Sequence, residues 1–351
     1  MQACIYEAYG SAEVVKLGEV ATPEPAAGEV LVKVRATSVT TADWRFRASA
    51  FPTVFWLPGR LMAGLFRPRN RVLGMDFSGV VAAVGRDVTR FKVGDSVLGA
   101  TNPFRRGAHA EYLAVEENGA IVHKPAALSY EQAAAIPFGA CSAQAFLGEF
   151  AAVKPGQRVL VVGASGGVGV WGVQVARQLG AEVTAVCSTR NVELVRSLGA
   201  HHVVDYTRDA ITPEGETYDV IFDTVGVTTF NACKPALTKT GIYLPLECGV
   251  REMVQALLTL RSRGKRLKYA VSANTRERLE LTLRQIEAGA LSPVIDHVYA
   301  MSQIATAHRH VEGRHRRGSV VVTIGSHAEQ SKEAPARTKD TPFRQCAASD
   351  S

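Results

Sequence analysis

The sequence predicts an α/β protein in which a β-rich domain precedes a parallel, doubly wound nucleotide-binding sheet. Two observations carry this. Residues 30–35 and 80–84 alternate apolar and polar side chains, between turns holding Pro23, Pro25, Gly28, Gly85 and Gly94. Beyond about residue 126, helical and strand patterns alternate, the signature of a parallel sheet covered by helices.

Taken in order, residues 3–6 already read as a strand, so a cleaved signal is not expected. Residues 130–145 read as a helix. Residues 159–162 are an unbroken aliphatic and β-branched run, as in a strand buried on both faces. Gly163, Gly166, Gly167 and Gly169 then make a turn almost free of side chains, and residues 170–179 continue as a helix stopped by Gly180. Residues 182–187 give the next strand, about 20 residues after the first glycine, as a dinucleotide fold requires. A helix over 191–198, strands at 203, 220–222 and 242–244, an amphipathic helix over 275–288 and a closing strand over 320–324 complete the pattern. From Ser326 the composition turns polar and aperiodic, and residues 326–351 read as a disordered tail.

Strand, glycine turn and helix together set backbone N–H groups and a helix N-terminus against a pyrophosphate. The glycines depart from Gly-x-Gly-x-x-Gly: Ala164 stands at the first position, while Gly166 and Gly169 are kept. A rival reading exists. Gly163-Ala164-Ser165-Gly166-Gly167 also fits the Gly-x-Ser-x-Gly elbow of α/β-hydrolases, with Ser165 as nucleophile and Asp223 or Asp296 and His297 or His308 as partners. The elbow explains neither Gly169 nor the second strand.

The 351 residues suffice for two domains, and 46% are hydrophobic. No apolar run reaches the roughly 18 residues of a membrane span, so no membrane partner is expected. Six cysteines are scattered without a C-x-x-C pair, which suits free thiols in a reducing cytoplasm. The net charge of +7 comes with arginine clusters at 60–71, 261–268 and 309–317. These read either as attraction for anions, including a phosphorylated cofactor, or as solvated surface. No aromatic–basic module is present, so no nucleic-acid partner is expected.

Several short motifs fall in a telling order: Leu73-Gly74-Met75-Asp76-Phe77-Ser78-Gly79, Arg90-Phe91 with Val93-Gly94-Asp95, Gly107-Ala108-His109-Ala110-Glu111-Tyr112, the run 164–169, and Leu198-Gly199-Ala200 with Val203-Val204-Asp205-Tyr206. Over about residues 1–325 the chain resembles the medium-chain dehydrogenase/reductase superfamily, in its zinc-independent quinone oxidoreductase, or zeta-crystallin-like, branch. The resemblance implies a GroES-like catalytic domain over 1–125 and 269–325 and a Rossmann domain over 126–268. It implies hydride transfer to a quinone or α,β-unsaturated carbonyl, and is compatible with a homodimer.

Zinc-bearing members hold a catalytic ion with Cys and His ligands. Here the corresponding positions carry Thr40-Thr41, Met75 and Phe138, and no cluster of cysteines lies between Asp95 and Glu111. Cys141 lies three residues from the third position and reads as a small buried thiol. No metal is therefore expected. The second strand ends Ser188-Thr189-Arg190, with no acid to bind a ribose hydroxyl. A hydroxyl and a guanidinium suit a 2′-phosphate, so NADPH is the expected cofactor. The resemblance places Tyr206 along the adenosine phosphate. Ser165, Gly166, Gly167 and Val168 would line the pyrophosphate, and Ser142, Val225 and Tyr243 the nicotinamide. The family step Gly-Lys is Gly318-Ser319 here.

At the substrate end the family often has Asn-Pro where this chain has Thr40-Thr41. Thr40 is a candidate to bond a carbonyl oxygen, and Asp43 a candidate proton donor or a structural carboxylate. The aromatic residues of 46–66 read as a mobile wall of the cleft or as a packing or dimer surface. His109 reads as structural. An NADPH-binding sensor without turnover is the alternative to an enzyme.

Overall fold

The computed structural model describes residues 1–102 and 105–325; the tail read as disordered lies outside them. Two sheets organise the chain. The first has seven strands around the long strand Glu29–Val39, which pairs antiparallel with Asp76–Val84 on one edge. Its other edge is shared by Tyr112–Glu116 and Ser319–Thr323. Ile295–Ala300 runs parallel to Ser319–Thr323, so the end of the described chain returns to a sheet begun near residue 29. Alternating side chains of Glu29–Val39 point into a core with Phe77, Leu73 and Val320.

The second sheet has six parallel strands in the order His202–Asp205, Glu182–Cys187, Arg158–Val162, Tyr218–Asp223, Leu237–Pro245 and Arg266–Leu267. Chain order reverses between Arg158–Val162 and Tyr218–Asp223. Open α/β sheets bind their ligands at the carboxyl ends of strands flanking such a reversal. Val159, Leu160, Val161 and Val162 are all buried, as an aliphatic run with helices on both faces requires. Helix Gly169–Gln178 seats Trp171, Val173 and Val175 in the same core, and Gly180 follows it at φ +80°.

The helix expected over 130–145 is interrupted. Tyr130–Ala134 ends before Pro137, which opens a second helix, Pro137–Ala143. Proline cannot donate a backbone hydrogen bond and crowds the preceding turn. Five helices lie outside those expected from the sequence: Thr41–Ala48, Thr53–Ala63, Phe230–Cys233, Val250–Thr259 and Ile304–Glu312. Thr53–Ala63 carries Pro58 and Gly59, which mask helical character in a propensity reading.

Candidate active site

The glycine turn leaves the carboxyl end of Arg158–Val162 at the reversal point. Gly163 holds φ at +75°, a conformation closed to most side chains. A Cβ on Gly169 would lie 2.0 Å from the Gly163 carbonyl oxygen, so the helix starts in contact with the turn only because glycine stands there. Ser165 is buried, and its Oγ accepts a bond of 2.9 Å from Asn191 Nδ2. An amide donor cannot take a proton from a serine, and this geometry does not support the hydrolase elbow. Asp223 is likewise committed: it accepts from the backbone N–H groups of Val225, Gly226 and Thr228 and shapes the loop after its strand. His308 lies buried beside His109 in the first sheet's domain, and His297 stacks on Tyr299.

A cleft of about 390 Å³ opens between the two sheets. Gly166, Gly167, Val168, Ser142 and Val225 line its nucleotide side, so five of the sequence-predicted residues meet there. Thr41, Phe46, Phe51 and Phe55 line the opposite side. Phe138 and Ser142 also border a second hollow of about 430 Å³, which reaches Met75 and Thr101. Tyr243 faces a neighbouring hollow, and its hydroxyl donates to the Thr228 carbonyl oxygen at 3.0 Å. Ser188, Arg190 and Tyr206 gather at the carboxyl ends of the next two strands instead. There Asn191 Nδ2 reaches Ser188 Oγ at 3.3 Å, Arg190 Nη2 donates to the His315 carbonyl at 2.6 Å, and Tyr206 is half exposed.

That Arg190 bond ties the second strand to the segment 313–318, which crosses the glycine turn. Gly318, at φ +88°, donates its N–H to the Ser165 carbonyl at 2.8 Å. Ser319, at the family's lysine position, spends its hydroxyl on the Ala135 carbonyl. The same segment carries Arg316, which the sequence reading did not single out. Its guanidinium lies against Gly167, donates from Nη2 to Thr41 Oγ1 at 3.0 Å, and leaves Nη1 buried without a partner. Burial pushes the guanidinium down to about 10, with Asp296 and Asp43 only partly opposing. A side-chain-free turn beside a buried cation with an unused donor fits the phosphate of a dinucleotide. Arg314, two residues earlier, pairs with Glu247 at 3.1 Å, and Arg45 meets the same carboxylate at 2.8 Å.

Thr40 and Asp43 occupy a different place from the one the resemblance suggested. They form the N-terminal cap of helix Thr41–Ala48: Thr40 Oγ1 donates to Asp43 Oδ2 at 2.7 Å, and the Asp43 N–H returns to Thr40 Oγ1. Asp43 Oδ1 also accepts from the Gly74 N–H, and both side chains are buried away from the cleft lining. Of the two threonines it is Thr41 that lines the cleft. His109 is buried and bonds the Ser38 carbonyl through Nε2. Asp76 was also missed. Its carboxyl is fully buried, accepts from Ser38 Oγ and the Phe138 N–H, and is raised to about 8, first by burial and then by the nearby Asp43.

The donor set does not fit a catalytic zinc. Thr40 is bound up in its cap, and Met75 and Phe138 offer a thioether and a phenyl ring. The buried Cys141 thiol is pushed up to about 12, away from the thiolate that zinc binds. Among the described residues, no three His, Cys, Asp or Glu side chains stand together as a metal site.

Comparison with known proteins agrees with this architecture. Residues 26–126 match the alcohol dehydrogenase GroES-like domain, and residues 198–322 match the family model described as zinc-binding dehydrogenase. A chloroplastic quinone oxidoreductase, QR1, from Triphysaria versicolor is 31% identical over 335 residues, covering 92% of this chain and 98% of its own. The NADPH-dependent alkenal/one oxidoreductase of Arabidopsis thaliana chloroplasts is 32% identical over 335 residues, covering 92% and 79%. The solved quinone oxidoreductase from Coxiella burnetii superposes with a TM-score of 0.83 at 28% identity, covering 93% of this chain and 99% of that one. With this fold, this cleft and these relatives, the chain belongs to the medium-chain dehydrogenase/reductase superfamily, in its zinc-independent quinone oxidoreductase branch.

Proposed function

We propose that this protein reduces quinones or α,β-unsaturated carbonyl compounds with NADPH, and that it does so without a catalytic metal. The observation that carries the reading is the continuity of the cleft. The glycine turn and an apolar wall of Phe46, Phe51, Phe55 and Phe138 border one cavity. A nicotinamide and an apolar, unsaturated acceptor can therefore share it. NADPH, when bound, supplies a hydride to the electrophilic carbon of the acceptor.

The chain's own residues position and enclose. Gly166 and Gly167 admit the pyrophosphate close to the backbone, and Arg316 offers its free Nη1 to a phosphate oxygen. Ser188 and Arg190 supply the hydroxyl and guanidinium for a 2′-phosphate. Thr41 Oγ1 accepts from Arg316, so its own proton is free to point at the acceptor's oxygen. A hydrogen bond there strengthens as charge moves onto that oxygen. Phe46, Phe51 and Phe55 exclude water from the transfer. The residue types at the zinc positions provide no ligand set for a Lewis acid, so the acceptor must arrive already polarised by conjugation.

The names of the relatives support the same reaction class: one is called a quinone oxidoreductase and another an NADPH-dependent alkenal/one oxidoreductase. NADPH consumption measured over a panel of quinones, enones and simple alcohols tests the proposal. Turnover on quinones or enones is expected. Turnover confined to alcohol oxidation, or tight NADPH binding with none at all, would replace it.

A further inference from the structure

We propose that the face around the mouth of the cleft docks on the surface of an anionic phospholipid bilayer. The absence of a spanning run argued only against a helix that crosses a membrane, and none of the described helices is long and apolar enough to do so. It does not bear on a helix lying on one.

The first observation is an inverted helix. In Val250–Thr259 no residue is buried, and its apolar side chains face outward: Val250 is 56% exposed, Leu257 72% and Leu258 76%, with Leu260 just beyond at 70%. A helix of a water-soluble domain buries such a stripe. The second observation is a separate apolar surface on helix Thr53–Ala63, where Trp56, Leu57, Leu61 and Met62 are exposed, followed by Phe66 at 89%. The two surfaces meet at the cleft. The Phe55 ring lies 6.2 Å from that of Tyr269. Tyr269 and Ala270 border both the cleft and a hollow of about 830 Å³ beside Leu257 and Leu260. Exposed apolar groups thus flank the entrance from two elements.

Charge names the occupant. Residues 46–72 contain no acidic side chain, and residues 250–272 contain only Glu252. The same segments carry exposed Arg67 and Arg69, and Arg251, Arg261 and Arg263 around the inverted helix. An apolar stripe edged with basic groups is how an interfacial helix meets a membrane: the stripe enters the headgroup boundary and the cations meet anionic lipid. Clustered exposed apolar side chains rimmed by polar groups mark an interaction surface. A bilayer also suits the cleft, whose apolar mouth would open where lipophilic quinones or enones reside; that part rests on the function proposed above.

The test is co-sedimentation of the full chain with vesicles of phosphatidylcholine alone or with phosphatidylglycerol added. Binding is expected with phosphatidylglycerol and at least a tenfold weaker binding without it. The pair Leu257→Glu with Leu258→Glu, on exposed positions, should cut binding by tenfold or more while leaving the unfolding temperature unchanged. Arg261→Glu with Arg263→Glu should do the same, and the lysine versions of those two should retain binding. No binding to either vesicle, or binding unaffected by both pairs of changes, overturns the proposal. So does light scattering that shows a stable dimer broken by the leucine changes, since a second copy would then own the face. In the kinetic arm, turnover of a vesicle-embedded long-chain quinone should fall in the leucine variant, and turnover of a short water-soluble quinone should not. If the parent turns over neither quinone, the proposed reaction fails while vesicle binding still reads out the docking surface.

Discussion

A Cβ on Gly167 would lie 3.0 Å from Nη2 of Arg316, so the glycine turn and the segment 313–318 meet in close contact through this guanidinium. Two consequences follow, with opposite signs. Arg316 is a buried cation whose Nη1 has no partner, which costs stability in the unliganded protein. The same Nη1 is poised for an anion on the turn.

Arg316→Met should therefore weaken NADPH binding by about 10- to 150-fold, the loss of a charged hydrogen bond of roughly 1.5–3 kcal/mol. It should leave the unliganded protein no less stable. Calorimetry with NADPH and thermal unfolding without it check the two halves. A variant that melts earlier yet binds NADPH as before would make Arg316 a structural residue.

Arg190→Ala addresses the choice between cofactors. The parent should bind NADPH tightly and NADH weakly, because Ser188 and Arg190 stand where an acid would hold a ribose hydroxyl. Losing the guanidinium should lower NADPH affinity by about 10- to 150-fold and barely change NADH. The Arg190 bond to the His315 carbonyl adds a control. A fall for both cofactors alike would assign Arg190 to holding the segment 313–318 rather than to the 2′-phosphate.

What the sequence made legible was local. Aliphatic runs and positive-φ glycines announce the strand, turn and helix at 158–180 without help from the rest of the chain. Arg316 carried no such signal: its role depends on a chain return that lays 313–318 across a turn far away in sequence. Thr40 and Thr41 are identical as residue types, and only the helix start between them decides which is a cap and which faces the cleft. The spacing of Val250, Met253, Val254, Leu257 and Leu258 is that of an amphipathic helix, but nothing local says that its apolar stripe faces outward.

Asp76 gives a pH dependence with a definite sign. Its folded-state pKa is raised to about 8, chiefly by burial, above an unfolded value near 4. Below about pH 4 both states hold the proton and pH has no effect. Between about 4 and 8 the unfolded chain releases the proton while the folded one keeps it, so stability falls as pH rises, by up to about 1.4 kcal/mol per unit. Asp76→Asn keeps a carbonyl to accept from Ser38 and Phe138 but cannot ionise. Denaturant titrations across this range should show a shallower decline for the variant, with the two proteins converging toward the acid end. Parallel curves would mean that Asp76 is ionised in the folded protein.

Three substitutions separate capping, catalysis and the cofactor turn. Thr40→Val removes the cap of helix Thr41–Ala48 and should cost about 1 kcal/mol of stability, with turnover at saturating NADPH largely retained. Thr41→Val removes the hydroxyl of the threonine that lines the cleft. It should lower turnover on an enone about tenfold at saturating NADPH, roughly 1.4 kcal/mol of transition-state stabilisation, and should also lower the unfolding temperature, because Arg316 Nη2 loses its buried acceptor. Ser165→Ala should act through NADPH affinity alone, because Ser165 Oγ accepts from Asn191 and is not activated for attack. Steady-state kinetics and unfolding curves on all three, with a serine-directed phosphonate applied to the parent, distinguish the roles. Turnover lost in Thr40→Val but kept in Thr41→Val would return the orienting role to Thr40. Phosphonate labelling of Ser165, together with loss of all turnover in Ser165→Ala, would restore the hydrolase elbow that the glycine pattern also allows.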